Sequence, residues 1–195
     1  KIIRLKKNKG PSFCRNLGMR LCNTKYLAFL DSDDFWDKEK LRDQINFMSK
    51  ANFQITYCDY YVFRENQKEN IINKTNVPML FNLSTFMNNS SINTSTLIVE
   101  KSIIGNTRFK KIPLLEDYIF KCDLFRKGLS AHKLNKCNTA YRLTENTRSS
   151  SKIKNLLTLW NLNKKYNNLN FFRNIVSVTC ISLNSLKKYG LKKYK

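Results

Sequence analysis

Residues 26–37 read YLAFLDSDDFWD, an apolar and aromatic run that passes straight into three aspartates. Residues 25–30 have the length and character of a short buried strand. Carboxylates just past the carboxyl end of a strand sit where open α/β sheets bind ligands. Asp31 and Asp33, one residue apart, can turn toward one point in a tight loop. Two carboxylates there suit a hard divalent cation that keeps waters and shares phosphate oxygens with a substrate. The competing reading is a solvated turn in which Asp34 or Asp37 caps the next helix. An EF-hand loop is excluded, because its sixth and twelfth positions would be Trp36 and Arg42 instead of glycine and an acid.

Working outward, Asp37 stands as an N-cap and Leu41, Ile45 and Met48 recur at helical spacing, which predicts an amphipathic helix over 38–50. QITYCDYYV (54–62) is rich in β-branched and aromatic residues and reads as a strand. The polar stretch 64–76 reads as a loop or hairpin. STLIVEKSII (95–104) is a further strand candidate, ending at a turn at Gly105–Asn106. LLEDYIFKCDLFRKG (114–128) reads as a helix stopped by Gly128. HKLNKCNTAYRL (132–143) reads as a strand, and Ile153, Leu156, Leu157 and Trp160 again fall at helical spacing. Strands alternating with helices predict an α/β domain over 1–150, followed by a basic helical extension over 151–195.

The 195 residues carry 36 lysines and arginines against 14 acids, a formal charge of +22. Such an excess attracts polyanions: nucleic acid, anionic lipid or phosphorylated small molecules. The excess is uneven, since no acidic residue follows Glu145. With 42% hydrophobic residues the chain can bury a core. The six cysteines show no C-x-x-C spacing and there is one histidine, His132, which argues against a zinc site of the usual composition. They read as reduced, mostly buried small hydrophobes of a cytoplasmic protein. His132 has no acid or base beside it in the sequence and reads as structural. A nucleic-acid-binding module is the rival from another class. It lacks an RNP, zinc-finger or helix-turn-helix signature and has no use for carboxylates at a strand end, so no nucleic-acid partner is expected.

The segment NKGPSFCRNLGMRLCNTKYLAFLDSDDFWDKEKLRDQINFM (8–48) resembles the central block of family 2 glycosyltransferases of the GT-A fold. The resemblance rests on Asn8, Gly10, Ser12, Arg15, Asn16 and Gly18, then Asp31–Asp34 and Trp36, then Lys40, Leu41 and Gln44. It continues through Glu116–Asp117 and Tyr141–Arg142 with Ser149–Ser151. A haloacid-dehalogenase-type phosphatase also ends a strand in D-x-D, but Phe35 departs from that pattern. The resemblance implies a mixed sheet flanked by helices. It also implies inverting transfer of a sugar from a nucleotide-diphosphate sugar to an acceptor hydroxyl, in cell-surface polysaccharide or lipid-linked glycan synthesis. Asp31, Arg15, Asn16 and Arg142 would then contact the donor. Asp33, with Asp34, would hold Mg²⁺ or Mn²⁺, and Asp117 would be the general base supported by Glu116. The family's opening I-I-P-x-Y-N strand and the strand ending D-D-G-S are not found, and KIIRL stands at about the third strand. The first strands are therefore expected to be missing from this sequence, which is then incomplete for activity, a partial transferase that binds nucleotide sugar poorly by itself. The lysine-rich tail 171–195 has the composition either of an interfacial helix, which would place the protein at the inner face of the cell membrane on anionic lipid, or of a core-packing helix followed by a solvated lysine end.

Overall fold

The computed structural model describes residues 2–64, 71–143 and 151–189. Among these residues the sheet has seven strands: β1 (Tyr26–Ala28), β2 (Phe35–Trp36), β3 (Ile55–Arg64), β4 (Ile71–Lys74), β5 (Leu80–Phe81), β6 (Ile98–Glu100) and β7 (Ala131–Leu143). Its order is β1-β6-β3-β7-β2, with β4 added to β3 and β5 to β7. The spine is the parallel pair β3–β7, in which Thr56 lies opposite His132 and Arg64 opposite Leu143; the other pairings are antiparallel. Residues 55–60 of β3 are buried without alternation, as a strand covered on both faces must be. Within that spine Lys133 Nζ lies 3.2 Å from Asp59 Oδ2, and Asp59 Oδ1 also accepts from the Val77 amide. The buried charges are thus paired and hydrogen-bonded, the condition for tolerating them at all.

Helices α1 (Pro11–Leu21), α2 (Lys40–Ala51), α3 (Leu83–Asn88), α4 (Lys101–Ile104), α5 (Glu116–Phe125), α6 (Lys152–Tyr166) and α7 (Phe171–Tyr189) complete the described chain. Gly10 caps α1 at φ 78°, its amide held by the Asn8 side chain, and Pro11 follows at the first helical position. That positive φ is open to glycine at no steric cost. The core gathers Phe29, Tyr57, Tyr60, Phe81, Phe86, Phe109, Ile119 and Phe120, with Phe109 stacked on Phe120 at 4.0 Å between ring centroids. Leu159 and Leu162 of α6 join the same core, so the C-terminal helices are seated on the α/β domain.

Several expectations shift. Helix α2 begins at Lys40, and Asp37 is not its cap. The Asp37 amide extends the β2–β7 ladder by bonding Asn138 O at 3.1 Å, which holds Asp37 extended a turn too early. The 95–104 strand shrinks to the three residues of β6, because Asn93 accepts from the Ser95 amide and winds Thr94–Thr96 into a 3₁₀ turn, while Lys101–Ile104 turns helical. Of KIIRL, residues 2–5 form no strand: Ile2, Ile3 and Leu5 lie exposed with no ladder partner among the described residues, and Lys1 lies outside them. Of the cysteines only Cys58 and Cys122 are buried, and Cys14 is exposed. His132 stacks on Phe53 at 3.7 Å. Residues 65–70, within the 64–76 loop, Ser149 and Ser150, grouped with Tyr141–Arg142, and residues 190–195 of the tail lie outside the described residues.

Candidate functional site

The aspartate loop leaves β1 and turns back on itself, Asp34 N donating to Asp31 O at 3.0 Å. It is clamped from the side by Ser95 of the 3₁₀ turn. Ser95 Oγ accepts from the Asp31 amide at 3.0 Å and donates to Asp34 Oδ2 at 2.5 Å, while Ser95 O accepts from Trp36 Nε1 at 2.7 Å. The second oxygen of Asp34 accepts from the Arg142 amide at 3.1 Å, which ties the loop to β7. Burial pushes the Asp34 carboxyl up to about 6 despite these hydrogen bonds, with Asp31 and Asp33 adding repulsion. Asp33 is half-buried, and no side-chain hydrogen bond or ion pair to it occurs among the described residues.

Arg15 joins this loop to α5. Its guanidinium bonds Asp31 Oδ1 at 2.5 Å, reaches Glu116 Oε1 at 3.4 Å and lies over the Phe109 ring. Burial alone would lower its basicity, but Asp31, Asp117 and Glu116 together raise it. Asn16 spends both polar ends on Phe109, donating to its carbonyl and accepting from its amide, each at 2.9 Å. Asn16 therefore fixes the platform on which Arg15 rests.

Asp117 opens α5 with Glu116, where the helix dipole favours both charges. Its Oδ2 takes Lys121 Nζ at 2.7 Å and Thr94 Oγ1 at 3.1 Å. Lys121 is 2% exposed and also bonds Ile92 O and Thr94 Oγ1, whereas the Asp117 side chain keeps 36% of its surface open. Burial would raise the Asp117 carboxyl, but Lys121 foremost, then Arg15 and Thr94, hold it at about 2. On β7 the Tyr141 phenol is pushed up to about 12 by burial and then by Asp34, Asp33, Asp31 and Asp117, all of which it feels. The guanidinium of Arg142 lies over Phe35 and Phe63.

The structure thus draws Asp31, Arg15, Glu116 and Asp117 into one charge network, with Asp33 and Asp34 on the adjoining loop. Sequence reasoning missed Ser95, Thr94 and Lys121. Lys121 stands four residues after Asp117, an ion-pair spacing on a helix that could have flagged it. The Asn-Thr-Ser run 93–95 carries turn chemistry that the neighbouring Leu97–Val99 strand signal concealed.

Lys40 illustrates how tightly the loop is backed. It is 1% exposed, its Nζ has no hydrogen-bond partner, and it sits 4.0 Å from the Trp36 ring centroid. Burial lowers it to about 8, with a small opposing pull from Cys58. A lysine depressed in the fold contributes stability above its unfolded value near 10.4 and loses it as pH falls through about 8. Lys40→Met is therefore expected to stabilise the protein at pH 7, on the order of 2 kcal/mol, with the gain shrinking toward pH 10. Urea midpoints at the two pH values check this, and a gain independent of pH would contradict it.

A family model described as Glycosyl transferase family 2 matches residues 1–128. The chain belongs to glycosyl transferase family 2. It is 29% identical over 192 residues to an Escherichia coli protein named UDP-Glc:alpha-D-GlcNAc-diphosphoundecaprenol beta-1,3-glucosyltransferase WfaP, covering 97% of this chain and 74% of that one. It is 26% identical over 187 residues to the putative teichuronic acid biosynthesis glycosyltransferase TuaG of Bacillus subtilis, covering 96% of this chain and 74% of that one. The crystal structure of S. aureus TarS 1-349 in complex with UDP-GlcNAc superposes with a TM-score of 0.63 at 16% identity, covering 96% of this chain and 56% of TarS. That likeness shows the GT-A fold that the resemblance of residues 8–48 implies.

Proposed function

We propose that this family 2 chain transfers a sugar from a nucleoside-diphosphate donor to a hydroxyl of a glycan or lipid-linked acceptor, with inversion and with a divalent metal. The carrying observation is the junction of the Asp31–Asp34 loop with Glu116–Asp117 through Arg15. The names of WfaP and of the TarS–UDP-GlcNAc complex support a UDP-sugar donor, and WfaP supports a lipid-diphosphate acceptor.

Among the described residues no three His, Cys, Asp or Glu side chains converge as a metal cage. A half-buried Asp33 with no side-chain partner fits a magnesium-like ion nonetheless, because such ions are held by one or two carboxylates plus substrate phosphates and water. Asp33 would hold it, with Asp31 beside it through the oxygen that Arg15 leaves open. Bound there, the metal would neutralise charge gathering on the departing diphosphate. Asp34, both oxygens engaged by Ser95 and the Arg142 amide, acts by fixing the loop.

Arg15 sets the position of Asp31 toward the donor and adds positive potential where the diphosphate would lie. Arg142 flanks the same loop from β7 and would add to that potential. Asn16 works at one remove through Phe109. The acceptor oxygen bonds the anomeric carbon as the carbon–phosphate oxygen bond breaks, and its proton passes to Asp117. One base on one face suffices for a single in-line displacement, so the anomeric configuration inverts. At about 2 the Asp117 carboxyl is ionised at any working pH, but it is a weak base, so the proton moves late, as the new C–O bond forms. Glu116 holds Arg15 and so supports the base indirectly.

Titrating the full-length protein with UDP-glucose or UDP-N-acetylglucosamine in a calorimeter tests the reading. Binding should require Mg²⁺ or Mn²⁺ and vanish in chelator. Transfer to a synthetic lipid-diphosphate N-acetylglucosamine should give a product of opposite anomeric configuration by NMR. Metal-independent transfer, or retention of configuration, would overturn the respective part.

A further inference from the structure

Helix α7 is built inside out. Asn174 and Ser177, which face the domain, are 1% and 0% exposed, while Phe172, Val176 and Leu183 on the far side are 78%, 51% and 53% exposed. The inward polar groups are satisfied: Asn163 Nδ2 donates to Asn174 Oδ1 and to Ser177 Oγ, Asn174 Nδ2 donates to Trp160 O, and Ser177 Oγ donates to Met87 O. Val178 and Ile181 give the same inward side an apolar share. A surface helix normally turns its apolar stripe to the core and its polar side to water. Here Phe172, Val176 and Leu183, spaced four and seven residues apart, run along one outward stripe, with Phe171 and Ile175 beside it. The stripe does not end with α7, because Phe171 meets Trp160 edge-on at 5.7 Å and the exposed Ile153 and Leu157 continue it along α6.

Around this apolar surface every exposed charge of the two helices is positive. Lys154, Lys164, Lys165, Arg173 and Lys187 are exposed, and no acid occurs after Glu145. No helix among the described residues is long and apolar enough to cross a membrane. An apolar stripe flanked by cations, on a helix that does not span, matches the interface of a bilayer, where the apolar face sinks among acyl chains and the cations meet headgroup phosphates. We propose that the outward face of α6 and α7 docks on an anionic lipid surface. A second copy of this chain is disfavoured by the exposed lysines and Arg173, which give two such faces mutual repulsion. The docking face owes nothing to the metal–diphosphate assignment and stands or falls without it.

The test is flotation of the purified 195-residue chain with vesicles of phosphatidylcholine alone and with added phosphatidylglycerol. The chain should float with the anionic vesicles and stay behind with the neutral ones. Raising salt to about 1 M, where the screening length shrinks to about 3 Å, should weaken the attraction. Phe172→Ser with Val176→Ser and Leu183→Ser should cut partitioning at least about tenfold while leaving the melting curve in place, since all three side chains already face water. Undiminished flotation of the triple variant would refute the proposal, and so would failure of the parent chain to float. Dimerisation abolished by the same substitutions, without vesicle binding, would assign the face to a second copy and equally overturn it.

Discussion

Replacing Asp117 by Asn is expected to lower the transfer rate by about 10²- to 10⁴-fold, the usual contribution of a positioned base, while leaving donor affinity near its original value. The difficulty is that Asp117 also serves Lys121, a buried ammonium 2.7 Å away. Removing the charged partner of a buried ion pair costs about 3–5 kcal/mol when nothing replaces it. Here the cost should be smaller, because Asn still offers an oxygen, Lys121 keeps Ile92 O and Thr94 Oγ1, and Asp117 itself is partly open to water. Lost activity alone would therefore not separate a chemical role from a weakened helix start. The double variant Asp117→Asn with Lys121→Met separates them, since it removes both charges and restores apolar packing. If Asp117 is the base, stability returns in the double variant and turnover does not. Recovery of turnover together with stability would reduce Asp117 to a counter-ion.

The parts of this site legible in the sequence are those whose chemistry is local. An apolar strand followed by carboxylates announces a strand-end site, and an acid pair before an apolar helical run announces a first turn. The contacts that give those residues their geometry join distant parts of the chain. Ser95 clamps a loop more than sixty positions earlier, Arg15 bridges to Glu116, and Asn16 grips the Phe109 backbone. No periodicity encodes such pairings. The 3₁₀ turn carrying Thr94 and Ser95 was hidden by the β-branched residues next to it, whose strand propensity is real but yields to the Asn93 side chain locally. The lysine-rich tail shows the same limit. Its composition gave an amphipathic helix, but composition cannot say that the polar stripe faces inward, because that depends on Asn163 and Met87 being there to receive it.

Asp33→Ala should weaken metal-dependent donor binding and reduce transfer by about 10²-fold or more at the metal concentration that saturates the parent, with no loss of stability. The stability half follows from the absence of any side-chain partner for Asp33 among the described residues. Its neighbour provides the contrast. Asp34→Ala leaves the Ser95 hydroxyl and the Arg142 amide without their acceptor in a buried setting, a cost of about 1–3 kcal/mol for each group so orphaned. It should therefore lower the urea midpoint clearly, and lower activity only as far as the loop loosens. Titrating Mn²⁺ against turnover distinguishes the two roles. A lost ligand moves the metal midpoint to higher concentration and is partly overcome by added metal, whereas a loosened clamp reduces the maximum without moving the midpoint. An Asp33→Ala protein with a normal metal midpoint and normal turnover would remove Asp33 from the metal site. Asp31→Asn completes the comparison: it leaves Arg15 an oxygen to bond but removes the charge it is paired with, so its main effect should fall on donor affinity.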